Sequence, residues 1–147
     1  MAKANTDLHC NSLMQEAVAR YLARRSVPDL LERLREKYGA RQRLLYDSLL
    51  AGMPAGTTVS QPEGGLSIWL TLPKGADGSE LYFRAVRRGV AFVSGEVFYG
   101  SPSDSRSLRI SFGLNRSDEL HEGVERLCSV VKDLLNRRSA RTPAMMM

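Results

Sequence analysis

Two short runs in this chain alternate strictly between apolar residues and others, while most of what surrounds them repeats at helical spacing. In the first run Leu66, Ile68 and Leu70 face one way and Ser67, Trp69 and Thr71 the other. In the second, Leu108, Ile110 and Phe112 oppose Ser107, Arg109 and Ser111. A period of two gives a strand one buried face, and a period of 3.6 gives a helix one buried stripe. Few short strands among several amphipathic helices point to an α+β domain rather than a doubly wound nucleotide-binding sheet.

The helical segments follow from the same reading. Met14, Ala17, Val18, Tyr21 and Leu22 recur at helical spacing after Asn11 and Ser12, either of which can cap the free amides. Ser26-Val27-Pro28-Asp29 then breaks the chain and starts a second helix, whose face of Leu30, Leu31, Leu34, Tyr38, Leu45 and Leu49 runs to about Leu50. Such a helix is about 30–37 Å long, with Gly39 interrupting its middle. Residues 57–61 are expected to pair with 65–71 through the turn Pro62-Glu63-Gly64-Gly65. Asp77-Gly78-Ser79-Glu80 starts a helix that Gly89 ends, and Val90 to Val93 reads as a short buried strand. A glycine- and serine-rich loop of residues 94–106 follows, long enough to carry function. In the last helix Leu120, Val124, Leu127, Val131 and Leu134 step by four, three, four and three. The expected fold is α+β: a small mixed or antiparallel sheet covered by helices and preceded by a long helix.

Composition narrows the function classes. The 147 residues are 43% hydrophobic and 25% charged, the balance of one globular domain. No apolar run approaches the roughly 20 residues of a membrane span, and the polar start Met1 to Asp7 lacks the apolar core of a secretory signal. A cytoplasmic location is expected, with Cys10 and Cys128 as free thiols. The net charge of +5 is spread along the chain, and its basic residues alternate with Glu32, Glu36, Glu122 and Glu125. That interleaving argues for solvated helix faces and against a nucleic-acid stripe. His9 and His121 do not form close ligand pairs with the cysteines, so no metal site is expected. Ser129-Val130-Val131-Lys132 matches an S-x-x-K pattern by chance within a helix, and no phosphate-cradling glycine motif is present.

Arg109 stands apart. A guanidinium in mid-strand, between two serines and across from three apolar residues, requires a partner. It can pair with a carboxylate of the chain itself, or offer its two-pronged donor geometry to a ligand carboxylate or phosphate.

The run Pro62-Glu63-Gly64-Gly65-Leu66-Ser67-Ile68-Trp69-Leu70-Thr71-Leu72-Pro73, then Arg88-Gly89-Val90-Ala91-Phe92-Val93-Ser94-Gly95, then Leu108-Arg109-Ile110-Ser111-Phe112 resembles the C-terminal small domain of fold-type I pyridoxal-phosphate aminotransferases of class I/II. The resemblance is to the branch holding aminoadipate-aminotransferase-like enzymes and MocR-type regulators, and it covers about residues 6–136. The expected organisation is an N-terminal segment and helix over 1–27, the small domain with its long leading helix over 28–136 and, from the composition of the chain end, a disordered tail over 137–147. The resemblance assigns to Arg109 the substrate α-carboxylate. The implied partners are an amino-acid or 2-oxo-acid substrate, a pyridoxal-phosphate-binding large domain and a second copy of the chain. Ser94 stands where the family commonly has proline. The family's cofactor-bearing lysine has no counterpart among Lys3, Lys37, Lys74 and Lys132, so no catalytic or cofactor-binding residue is expected in this chain, which alone should be inactive. The alternative is a non-enzymatic amino-acid- or carboxylate-binding effector module of a MocR-type regulator.

Overall fold

A computed structural model describes residues 11–24, 26–99 and 106–141. The chain divides into two compact units, Met1–Lys37 and Tyr38–Met147, with the boundary inside the second helix.

In the first unit Asn11 caps helix α1 (Ser12–Arg24): its Oδ1 accepts the amides of Leu13 and Met14 at 3.0 and 3.3 Å. None of the helix is buried; Met14, Val18, Tyr21 and Leu22 are all exposed. Ser26 starts α2 (Val27–Gly52), its carbonyl accepting the Leu30 amide and its hydroxyl facing the Asp29 amide at 3.4 Å. The helix runs through Gly39 without a break and for 26 residues.

In the second unit β1 (Thr58–Val59), β2 (Ser67–Thr71), β3 (Val93–Ser94) and β4 (Ser107–Ser111) form a sheet of order β1-β2-β4-β3, every pair antiparallel. The expected hairpin is present, Thr58 facing Thr71 and Val59 facing Leu70, and its turn includes Gly65 at φ +78°, a conformation glycine adopts without penalty. Helix α3 (Gly78–Val86) joins β2 to β3, carrying the chain past β4, which lies between them. Asp77 caps it, its Oδ1 accepting the amides of Ser79 and Glu80 at 2.9 and 3.0 Å. Helix α4 is Ser117–Arg141.

The core lies on one face of the sheet. Ile68, Leu70 and Leu72 from the β2 side and Leu108 and Phe112 from the β4 side are fully buried, in one cluster with Leu45 and Leu49 of α2, Leu81 and Ala85 of α3, and Leu127, Val131 and Leu134 of α4. Burying each of the larger of these side chains, the leucines, Ile68, Val131 and Phe112, contributes about 1.5–3 kcal/mol.

Three expectations change. Leu66 is 44% exposed rather than in the core; it precedes the β2 ladder, its carbonyl accepts the Phe112 amide, and its side chain lies over Gly113. The strand expected at Val90 to Val93 shrinks to Val93–Ser94, because the Val90 amide is used to close α3 onto the Ala85 carbonyl. Helix α4 continues through Arg141, into the stretch expected to be disordered. The rest of that stretch, residues 142–147, lies outside the described residues, as do Cys10 and His9.

Candidate functional site: the open face around Arg109

Strand register determines which side chains share the second face. Ile68 lies opposite Ile110 and Leu70 opposite Leu108 on the core side. The intervening pairs, Ser67 with Ser111, Trp69 with Arg109 and Thr71 with Ser107, therefore project from the other side. On its other flank Arg109 pairs with Val93 of β3. Trp69, Arg109 and Val93 thus form one row across three strands.

Over this row lies the loop that follows β3. It begins as a 3-10 helix, Gly95–Phe98, and its position is tied to β4. A Cβ built on Gly95 would sit 2.5 Å from the Ser107 Cβ and 2.8 Å from the Ser107 carbonyl oxygen, so only glycine permits this approach. The Tyr99 hydroxyl is 3.4 Å from the Ser107 Oγ, and the Ser79 hydroxyl donates to the Glu96 carboxylate at 3.3 Å. These contacts bring Phe98 to Arg109: the guanidinium carbon is 4.9 Å from the ring centroid. Phe98 and Tyr99 in turn meet Trp69 edge-on, at centroid distances of 5.7 and 6.2 Å.

Among the described residues Arg109 has no ion pair, and its Nε is buried without an acceptor. Other arginines differ: Arg20, Arg84 and Arg126 each meet a glutamate four residues earlier in the same helix, and Arg116 meets Asp118. The hydroxyl of Ser94, next to Val93 but paired in register with core-side Leu108, is also buried without a partner among the described residues.

A concavity of about 750 Å³ lies elsewhere. It runs between the C-terminal half of α2 and α4, past Asp47, Gly52, His121, Glu125, Cys128 and Lys132, and does not include Arg109. Burial raises the Cys128 thiol above its ordinary value, the opposite of an activated nucleophile. Ser129 and Lys132 of the S-x-x-K pattern line this groove too. Among the described residues no group of histidine, cysteine or carboxylate side chains converges as a metal site would require, and no helix is long and apolar enough to cross a membrane.

Of the site, sequence spacing identified Arg109 alone. Trp69 was legible as a residue of the non-core face, but Phe98 and Tyr99 sat in a loop without periodicity. Contacts with residues distant in sequence, Gly95 and Tyr99 with Ser107 and Glu96 with Ser79, carry them over the sheet.

No family model matches the chain. It is 29% identical over 137 residues to the aromatic-amino-acid aminotransferase 1 of Thermococcus litoralis, a match covering 93% of this chain and 33% of the relative. An α-aminoadipate aminotransferase from Thermus thermophilus, solved with N-(5'-phosphopyridoxyl)-L-leucine, superposes with a TM-score of 0.85 at 32% identity, over 92% of this chain and 35% of that one. An uncharacterized HTH-type transcriptional regulator of Escherichia coli is 27% identical over 87% of this chain and 27% of its own length. The chain spans about a third of the length of the aminotransferases it matches. In sequence and in fold, it is a homologue of the C-terminal small domain of fold-type I, class I/II aminotransferases.

Proposed function

We propose that this chain provides the carboxylate clamp for an amino-acid or 2-oxo-acid substrate in amino-group transfer, with Arg109 as the clamp. The observation that carries this reading is a guanidinium on the open face of the sheet with no carboxylate partner among the described residues and a buried, unsatisfied Nε. With no carboxylate of the described residues paired to it, the guanidinium keeps its terminal nitrogens for the two oxygens of a ligand carboxylate. A two-pronged fork receiving a planar carboxylate also orients the substrate, and orientation is a large part of what a bound reactant gains.

Pyridoxal phosphate, which the family uses, does not fit the groups described here. It requires a lysine amine beside the substrate, and when bound it supplies the electron sink for the chemistry. Lys37 lies in α2, Lys74 follows β2, and Lys132 lines the α2–α4 groove. None neighbours Arg109 in the strand register. The amine and the phosphate-binding groups would come from a cofactor-binding large domain, and the chain by itself would not transfer amino groups. The proposed setting is a cytoplasmic homodimer with its sites at the subunit boundary.

Calorimetric titration with L-leucine and with 4-methyl-2-oxopentanoate tests the clamp. Binding that disappears in Arg109→Ala is the expected result; identical titrations of the two proteins would contradict it. Borohydride reduction with pyridoxal phosphate tests the second claim, since a stoichiometric adduct on one lysine would show that the chain holds the cofactor after all.

The similarity to an HTH-type regulator favours a second reading, an amino-acid-sensing effector module of a MocR-type protein. Both readings use Arg109. They part on the reading frame upstream: a DNA-binding helix-turn-helix there favours the regulator, and a cofactor domain without one favours the enzyme.

A further inference from the structure

We infer that Phe98 is the positioning residue of Arg109, holding the guanidinium at the angle at which a carboxylate can be received. The inference rests on the proposed role of Arg109 as the clamp. An arginine side chain turning about four bonds loses much of its binding energy to ordering. Here ordering is supplied in advance. The Phe98 ring lies 4.9 Å from the guanidinium carbon, within the range of a cation–π contact. The ring is itself held by the edge of Trp69, a residue directly across the ladder from Arg109. The chain is anchored before it, through Gly95 packed on Ser107 and Ser79 bonded to the Glu96 carboxylate, and after it, through the Tyr99 hydroxyl beside the Ser107 Oγ.

The same arrangement selects how the fork is used. Nε is buried and has no acceptor among the described residues. A carboxylate arriving from solvent therefore meets the two terminal nitrogens, end-on, while Nε stays covered. Phe98 touches no reacting atom in this account. It acts through Arg109, by keeping the two terminal donors together and facing outward.

The experiment uses the full chain, labelled with nitrogen-15, and reads the Arg109 side-chain Nε–H resonance, assigned by its loss in Arg109→Lys. In the wild type this proton is expected to be shifted by the ring current and slow to exchange with water. Phe98→Leu should abolish both properties, and Phe98→Tyr should restore them. L-leucine titrated into the same samples should bind about fivefold more weakly to Phe98→Leu than to wild type or Phe98→Tyr. Thermal unfolding of each variant separates this from a loss of folding: Phe98→Tyr, with the ring retained, must recover affinity whatever the melting temperature of Phe98→Leu. An Nε–H resonance unchanged by Phe98→Leu, or equal affinity in wild type and Phe98→Leu, overturns the inference. A wild type indifferent to L-leucine would overturn the clamp reading instead, and the Nε–H resonance would still decide whether Phe98 holds the guanidinium.

Discussion

The two faces of the sheet are built from the same two strands, in alternate residues, and they obey different rules. On one face Ile68, Leu70, Leu108 and Phe112 are sealed under three helices and satisfy one another. On the other, Trp69, Arg109 and Val93 form a row that no helix of the core cluster covers, topped by the half-exposed rings of Phe98 and Tyr99. The first face gains its free energy from packing within the chain. The second contains a charged group whose needs the described residues do not meet. Stability resides on one side of the sheet and the proposed ligand chemistry on the other, separated by the thickness of a strand.

Substitutions three residues apart should expose that division. Phe112→Ala removes a fully buried ring and should cost about 3–5 kcal/mol in urea unfolding. Arg109→Ala should change stability by no more than about 1 kcal/mol, because the packing it loses is offset by removal of an unsatisfied donor. Comparable losses for both would mean that the open face is structural as well.

Gly95→Ala should fall between them, at about 1–3 kcal/mol. The new methyl group would meet Ser107 backbone and side-chain atoms, so the 3-10 helix must lift from β4. The expected signature is a change in Trp69 fluorescence as Phe98 and Tyr99 move, together with weakened carboxylate binding. An Ala variant with native fluorescence would show that the loop is not set by this contact.

The smallest effect concerns pH. Burial raises the Cys128 thiol, so the folded chain retains this proton to higher pH than the unfolded chain does. Its contribution to stability is full below the unfolded thiol's pKa of about 8.5 and is lost as the pH rises through the higher folded value. Urea midpoints should therefore fall more between pH 7 and 9.5 for wild type than for Cys128→Ala. Equal falls would place the alkaline sensitivity elsewhere.

How much of this was visible in the residues differs between the faces for a physical reason. The core face is a matter of period, and the alternation of 66–71 and 107–112 was enough to assign it, apart from Leu66 at the end of the ladder. Helix α4 was equally plain, its apolar steps tracing the buried seam. The open face depends on register and on one loop. Nothing local in Gly95-Glu96-Val97-Phe98 shows that it crosses to Arg109; the Ser107 contact, twelve residues on, determines it. Val90 looked like a strand residue because it is apolar, but its amide closes the turn after α3. The choice for Arg109 between an internal partner and a ligand was likewise open in the sequence, since no spacing rule reports which carboxylates a fold brings near.

The central claim is that the ligand face is the one carrying Arg109, and backbone and indole nitrogen-15 shifts recorded during an L-leucine titration test it most directly. The account predicts shifts concentrated at Trp69, Val93, Phe98 and Arg109, absent in Arg109→Ala. Shifts concentrated instead at Asp47, His121 and Cys128, along the α2–α4 groove, would contradict it.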